Sequence, residues 1–179
     1  MEWHNEPPNW QAQGNTITFN VAGETDFWRK THDNGLRDNG HFYYQPVSGD
    51  FTATVKVTGQ YNGLYDQAGL MVRLDETVWL KCGIEYMEGV QYASAVVTRD
   101  YSDWSIVPLV PGPDFITLRV NRHGGTLAVT YALPGGDFQM IRQAHLTTAA
   151  EVRVGVMAAA PKGAGFPVKF EEFEVQAGE

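Results

Sequence analysis

Apolar and polar residues alternate along most of this 179-residue chain, and this alternation restricts the fold more than any other feature. "FTATVKVTG" (51–59), "FITLRVN" (115–121) and "EVRVGVMAA" (151–159) all show it. A period of two is typical of strands with one buried face, whereas helices repeat every 3.6 residues. Gly, Pro, Asn and Asp separate the segments, as in turns. The pattern predicts about ten to twelve short strands and very little helix.

Regular strand spacing over this length predicts two packed antiparallel sheets in a single domain, residues 1–179. The alternation slips by one residue in "VKFEEFEV" (168–175), which predicts a β-bulge. "HDNGLRDNGH" (32–41) contains Asn-Gly twice and lacks the spacing of an EF-hand. We therefore interpret this segment as turns and not as a calcium loop.

The net charge of −8 argues against a nucleic-acid partner, because such proteins carry a basic stripe that displaces counterions from phosphates. An acidic chain also disfavours anionic membranes, and the sequence has no apolar run near the roughly 18 residues of a membrane span. "MEWHNEPPNW" (1–10) lacks the features of a signal peptide, so we expect a cytoplasmic protein. The five histidines lack zinc-site spacing, and we expect no metal or cofactor. Cys82 is expected to be a small buried hydrophobe.

The segment "YDQAGLMVRLDETVWLKCGIEY" (65–86) predicts a hairpin whose register can be derived. With a three-residue loop at 75–77, one face consists of apolar pairs: Leu74–Val78, Val72–Leu80, Leu70–Cys82 and Ala68–Ile84. The other face then carries a mainly polar stripe of facing pairs: Arg73–Trp79, Met71–Lys81, Gly69–Gly83 and Gln67–Glu85. A one-residue slip would mix the two sets, which burial opposes strongly. The two glycines leave a dip, so the stripe has the shape of a shallow groove with polar ends.

A third strand is predicted to follow a turn at Glu88-Gly89. A two-residue turn places Tyr92, Ser94 and Thr98 on the polar face, whereas a three-residue loop would place Ala93, Ala95 and Arg99 there. Both registers remain open at this point.

Arg73 has no carboxylate opposite it in the hairpin. We expect its guanidinium to point at a ligand in the groove, which it can hold through two parallel hydrogen bonds. The alternative is a partly buried ion pair with Asp66 or Asp103.

Three segments carry a resemblance to a known family: "FWRKTHDNGLRDNGHFYY" (27–44), "GDFTATVKVTGQYNGLYDQAGLMVRLDETVWLKCGIEY" (49–86) and "VVTRDYSDWS" (96–105). They resemble the family called domain of unknown function 1349, also described as regulation-of-enolase-like, and the similarity covers nearly the whole chain. The resemblance implies a concanavalin A-like jelly-roll sandwich of two antiparallel sheets, one of them concave, as in lectins and glucanases. It implies no activity, since one fold hosts many functions.

Matching positions in these segments are candidate ligand-binding residues, and Tyr92 joins them from the third strand. The candidates are Arg29, Asp66, Gln67, Arg73, Trp79, Lys81, Glu85, Tyr92, Arg99, Asp103 and Trp104. The chain departs from the family pattern at "AAAP" (158–161), where Cys-Ser-Pro is expected, so no role of that serine transfers here.

The favoured hypothesis is non-catalytic binding of a carbohydrate or other small polar ligand in the groove of the concave sheet. Aromatic rings would stack on the ligand while amides, carboxylates and cations bind its hydroxyls. A second hypothesis is a glycoside hydrolase or lyase-type enzyme that uses Glu85 with Asp66 or Asp103. It is less favoured because the Glu-x-Asp-x-Glu strand of the glucanases is absent. A third is a protein-binding regulator of metabolism, with an unknown protein partner.

Overall fold

The computed structural model describes residues 1–178, which form sixteen strands and their loops. Seven strands make the front sheet, in the order β1 (Glu2–His4), β6 (His41–Ser48), β15 (Glu151–Ala159), β8 (Gln67–Arg73), β9 (Val78–Met87), β10 (Val90–Arg99) and β11 (Tyr101–Leu109). Seven make the back sheet, in the order β14 (Gln139–His145), β13 (Thr126–Ala132), β12 (Ile116–His123), β7 (Phe51–Gly59), β16 (Pro167–Ala177), β3 (Thr16–Asn20) and β2 (Trp10–Gln13). The remaining two, β4 (Phe27–Arg29) and β5 (Leu36–Asp38), pair with each other.

The sheets are antiparallel and pack as a jelly-roll sandwich, which confirms the predicted all-β fold. There are more strands than the ten to twelve predicted, because strands of three or four residues are too short to show alternation. Within residues 1–178, no helix has the length and apolar character that crossing a membrane requires. Both sheets contribute to one hydrophobic core. The single domain over 1–179 stays a prediction, and Glu179 lies outside the described residues.

The hairpin register derived from the sequence is confirmed, with Arg73 opposite Trp79 and Gln67 opposite Glu85. The apolar set faces the back sheet and joins the core, while the polar stripe lies on the outer face of the front sheet. Strand β10 takes the register of the two-residue turn, which places Tyr92 beside Glu85 on that outer face. The bulge predicted in 168–175 is also present, as a register shift between Glu171 and Glu174.

A hairpin built from β4 and β5, residues 26–40, folds back over part of the outer face, and we call it the cover hairpin. Phe27 lies at its centre and packs edge-on against Trp79, with ring centroids 6.3 Å apart. A second hydrophobic cluster forms between the cover hairpin and the sheet, from Phe27, Phe42, Met71, Trp79, Val96 and Met157. Trp79 is therefore fully buried, and the predicted groove is closed in this half.

Arg73 is ion-paired to the cover hairpin. Its Nη1 and Nη2 donate to the two carboxylate oxygens of Asp38 at 2.5 and 2.8 Å, and only 3% of the residue is exposed. The expectation that Arg73 points into an open groove is therefore wrong, and neither Asp66 nor Asp103 is its partner. The strand pattern gave no sign that Asp38, read as part of a turn, would lie against β8.

The carboxyl of Asp38 stays ionised in this pair. Burial works against the charge, but hydrogen bonds from His4 and Arg73 outweigh it and lower the pKa of Asp38 to about 2. The ion pair therefore persists throughout the neutral range and fastens the cover hairpin to the sheet.

Replacing Asp38 by Ala should destabilise the fold, because Arg73 would remain buried without a counter-charge. We expect a loss of about 3 kcal/mol in the free energy of unfolding, the lower end for a broken buried pair, since water reaches the Asp38 side. Denaturant titration at neutral pH measures it. The difference from wild type should disappear as the pH falls from 3.8 through about 2, where Asp38 protonates.

The matched control is Asp33→Ala, which breaks an ion pair with Arg37 in the same hairpin. Both side chains of that pair are about 40% exposed, at 41% and 39%, so water replaces the lost contact. The control should be far milder. Equal effects of the two substitutions would contradict a structural role of the Asp38–Arg73 pair.

Candidate functional site

A small space remains on the outer face over Gly69 and Gly83, which face each other in β8 and β9, although every residue that lines it is more than nine-tenths buried. A Cβ at either position would collide with the backbone of the neighbouring strand, so both positions require glycine. A small cavity of about 10 Å³ lies here, enough for one water-sized group. We call it the cleft; its lining includes Gln67, Lys81, Gly83, Glu85, Ser94 and Met157.

Lys81 forms one wall of the cleft and is fully engaged. Its Nζ donates to Gln67 Oε1 at 2.5 Å and to the carbonyl oxygen of Phe27 at 2.7 Å, and lies 3.6 Å from Asp26 Oδ1. Gln67 Nε2 in turn donates to the carbonyl oxygen of Tyr65 at 3.2 Å. This network joins the sheet to the cover hairpin and holds a positive charge beneath the cleft.

Glu85 forms the opposite wall, and its two carboxyl oxygens differ. Oε2 accepts hydrogen bonds from Ser94 Oγ at 2.7 Å and Trp104 Nε1 at 2.8 Å. Oε1 accepts none from residues 1–178, although Glu85 is only 7% exposed. The cleft therefore contains a buried carboxyl that is held in place through one oxygen and has the other available.

Burial raises the pKa of Glu85 above its ordinary value. The positive charge of Lys81 and the hydrogen bonds from Ser94 and Trp104 oppose this rise, and the negative charge of Asp26 adds to it. Because the net effect is an upward shift, Glu85 is more easily protonated than a carboxyl in water. It can accept a hydrogen bond from a ligand when ionised and donate one when neutral.

Aromatic rings surround Glu85. Trp104 on β11 is 41% exposed and meets Trp28 and Tyr65 edge-on, with centroids 6.5 and 6.3 Å away. Tyr92 on β10 lies directly opposite Glu85 and is half-buried. The rim of the cleft is thus aromatic, whereas its floor is polar.

Tyr65 takes a backbone conformation that bulky residues avoid, with φ at +66°. Its N–H donates to the carbonyl oxygen of Tyr86 at 2.7 Å, which holds this conformation in place. Left-handed non-glycine residues cost about 1–3 kcal/mol and cluster at functional sites.

Two of the predicted residues have structural roles away from the cleft. Asp66 is fully buried, and its Oδ2 accepts the backbone N–H groups of Asn62 and Gly63 at 2.9 and 2.7 Å, which shapes the loop before β8. Arg29 lies on the cover hairpin, and its Nη2 donates to Asp100 Oδ1 at 3.1 Å.

Two others lie at or beyond the edge of the sheet. Asp103 is paired with Val97, whose side chain belongs to the core, so Asp103 sits on the opposite face from Glu85. Arg99 ends β10 and is exposed. The pairing of Glu85 with Asp66 or Asp103, on which the enzyme hypothesis depended, is therefore wrong. Among the described residues, no three His, Cys, Asp or Glu side chains are grouped as metal ligands.

Three residues of the site were missed from the sequence: Asp26, Trp28 and Tyr65. The first two belong to the cover hairpin, whose return over the sheet is a long-range contact. Tyr65 precedes β8 directly, and the alternation of the strand gives no information about a residue outside it.

Comparison with known proteins finds close similarity in Saccharomyces cerevisiae, both to a named protein and to a solved structure. The protein named "Regulation of enolase protein 1" is 37% identical over 175 residues, covering 98% of this chain and 88% of that protein. A crystal structure described as a functionally unknown protein is 36% identical, with a TM-score of 0.94 over 99% of this chain and 96% of that one.

More distant structures share the fold alone. The carbohydrate binding module CBM66 from Bacillus subtilis is 12% identical, with a TM-score of 0.62 over 98% of this chain and 95% of that module. A xyloglucan GH43 protein from Bacteroides ovatus is 18% identical, with a TM-score of 0.72, and matches 94% of this chain but only 34% of that protein.

The family relationship rests on the match over nearly the full length. Residues 3–178 fit the model described as "Protein of unknown function (DUF1349)", and the yeast relative is 37% identical over 98% of this chain. This chain belongs to the DUF1349 family.

Proposed function

We propose that this protein binds a carbohydrate, or another small polyhydroxylated ligand, in the cleft without catalysing a reaction. The observation that carries the proposal is Glu85. Its carboxyl is buried and fixed by Ser94 and Trp104, and its Oε1 is left without a partner among the described residues. A ligand hydroxyl in the water-sized cavity would complete the hydrogen bonding of that oxygen.

A buried carboxyl with a raised pKa reduces stability, since the charged form is separated from water. A glutamine would keep the acceptor for Ser94 and Trp104 without that penalty. Residues that lower stability in this way are concentrated at sites of function. The second oxygen of Glu85 and its position in a cleft point to binding as that function.

The aromatic rim suits the same ligand class. Sugars present apolar C–H faces to aromatic rings and hydroxyl groups to polar side chains, and here Trp104 and Tyr92 lie beside the polar floor. The shared fold with a carbohydrate binding module is consistent with this proposal but does not establish it, because fold does not fix function.

An enzyme is the second candidate, and one observation favours it. Asp26 Oδ1 lies 3.6 Å from Lys81 Nζ, and its negative charge raises the pKa of Glu85, so a second carboxyl acts on Glu85. However, Asp26 is bound to Lys81 and Gln67 on the covered side. The second carboxyl is therefore tied into the framework, and we favour binding.

Binding can be tested by isothermal titration calorimetry with a panel of neutral mono- and oligosaccharides. At least one sugar should bind the wild type, and Trp104→Ala should abolish that binding. Stability should fall by about 1–2 kcal/mol, because the ring is 41% exposed but its Nε1 also donates to Glu85, where Ser94 remains as a donor. Trp104→Phe keeps a ring and should retain part of the affinity.

Met140→Ala is the control, since Met140 is 60% exposed on the back sheet and lies away from the cleft. It should leave binding unchanged. A panel in which no sugar binds, or in which Trp104→Ala binds like the wild type, would refute the proposal.

The pKa of Glu85 predicts a specific dependence of stability on pH. Between the ordinary pKa of 4.5 and the raised value, the folded state binds more protons than the unfolded state, so wild-type stability falls as the pH rises. Glu85→Gln cannot lose a proton and should melt at a higher temperature than the wild type at neutral pH. The difference should shrink below pH 4.5. The opposite result is a Glu85→Gln variant that melts below the wild type at neutral pH and closer to it in acid. That result would show that ionised Glu85 costs the fold little stability.

Catalysis can be tested separately. We expect no release of reducing sugar from β-glucans or xylans, because the residues around Glu85 provide no free second carboxyl. Release that disappears in both Glu85→Gln and Asp26→Asn would establish the enzyme instead.

A further inference from the structure

Strand β11, at one end of the front sheet, has exposed apolar side chains on both of its faces. Ten large hydrophobic residues are exposed within 1–178, and half of them lie in segment 101–110: Tyr101, Trp104, Ile106, Val107 and Val110. Strand β10 occupies one edge of β11, and in the described part of the chain no strand is hydrogen-bonded to the other edge. Such an edge is a template for pairing with another strand.

The other edge strands of the sandwich are protected. Strands β1 and β2 have three and four residues, too few for a stable pairing. Strand β14 has seven, but it has only one exposed large hydrophobic, Met140, and its Arg142 Nη1 donates across the sandwich to Ser105 Oγ of β11 at 2.7 Å. Strand β11 has nine residues. Only two of them, Asp103 and Pro108, are of the charged or proline type that normally prevents an edge strand from pairing.

We propose that β11 pairs antiparallel with β11 of a second copy of this chain, so that two front sheets join into one continuous sheet. This inference does not depend on ligand binding in the cleft. A two-fold axis through the strand centre makes the contact self-complementary and closes the assembly as a dimer.

One register pairs all nine residues of β11, and its chemistry is favourable. Ser105 then meets Ser105 of the second copy, Trp104 lies opposite Ile106, and Asp103 lies opposite Val107. An aromatic side chain facing a β-branched one stabilises a sheet, while facing like charges destabilise it. This register forms the Trp104–Ile106 pair twice and keeps the two copies of Asp103 apart. A second copy of this chain therefore fits the edge without a compensating partner of opposite charge.

The arrangement would place the two clefts side by side, since Trp104 belongs both to the cleft rim and to the paired strand. The charge of −8 on each chain opposes association, so pairing requires physiological ionic strength. An interface formed mainly by one strand is small, and such dimers exchange with monomer.

Sedimentation velocity from micromolar to millimolar concentration, at physiological ionic strength, tests the proposal. The wild type should shift from monomer to dimer. Val107→Glu should weaken association about tenfold, because it faces Asp103 of the second copy twice per dimer. Val107→Lys should strengthen it by a similar factor, since the same position then forms two opposite-charge pairs.

Leu133→Glu and Leu133→Lys are matched controls, because Leu133 and Val107 are both 37% exposed and Leu133 lies on the back sheet side. The two Leu133 variants should associate with the same affinity as each other, unlike the two Val107 variants. A Ser105→Cys variant should cross-link to its own copy on oxidation, while the buried Cys82 stays reduced.

Two results would overturn the proposal. A wild type that remains monomeric at millimolar concentration would leave β11 free for a strand of a different protein, or for none. If Val107→Glu and Val107→Lys shift association in the same direction, β11 does not pair in this register.

Discussion

The ion pair between Arg73 and Asp38 determines how much of the outer face of the front sheet is accessible. It fixes the cover hairpin on β8, and the hairpin then buries Trp79 beneath Phe27. A buried guanidinium without its carboxylate would be strongly unfavourable, so the hairpin cannot leave the sheet at low cost. What would be an open groove along the hairpin becomes a covered half and a cleft with room for one water-sized group.

The cleft combines features that reduce stability without an evident structural benefit. Glu85 is a carboxyl that is only 7% exposed and has a raised pKa, and Tyr65 adopts a left-handed backbone conformation. Both are held by specific hydrogen bonds, from Ser94 and Trp104 in one case and to Tyr86 in the other. Strain and burial that the surrounding fold maintains are typical of sites that act on a ligand, whereas Arg73 and Trp79 serve the framework.

Local patterns predicted most of the front sheet. Alternation from Gln67 to Glu85 gave the register of the hairpin residue by residue, because a slip of one residue would turn the charged side chains into the apolar core between the sheets. The turn at Glu88-Gly89 left two registers open for β10, and the structure has the one that places Tyr92 and Ser94 on the outer face. The candidate site was only partly predicted. Five predicted residues lie at the cleft: Gln67, Lys81, Glu85, Tyr92 and Trp104. Asp66 instead binds the loop before β8, and Asp103 lies on the opposite face of the sheet.

The sequence by itself determined which residues face the core and which lie on the polar face, since a period of two is a property of neighbouring residues on one strand. Only the tertiary structure decided whether that polar face is open. The answer depends on contacts between residues far apart in the chain, such as Asp38 with Arg73 and Asp26 with Lys81. No local pattern records such contacts, because they arise when a short hairpin, itself too small to show alternation, packs back onto a sheet formed by later strands.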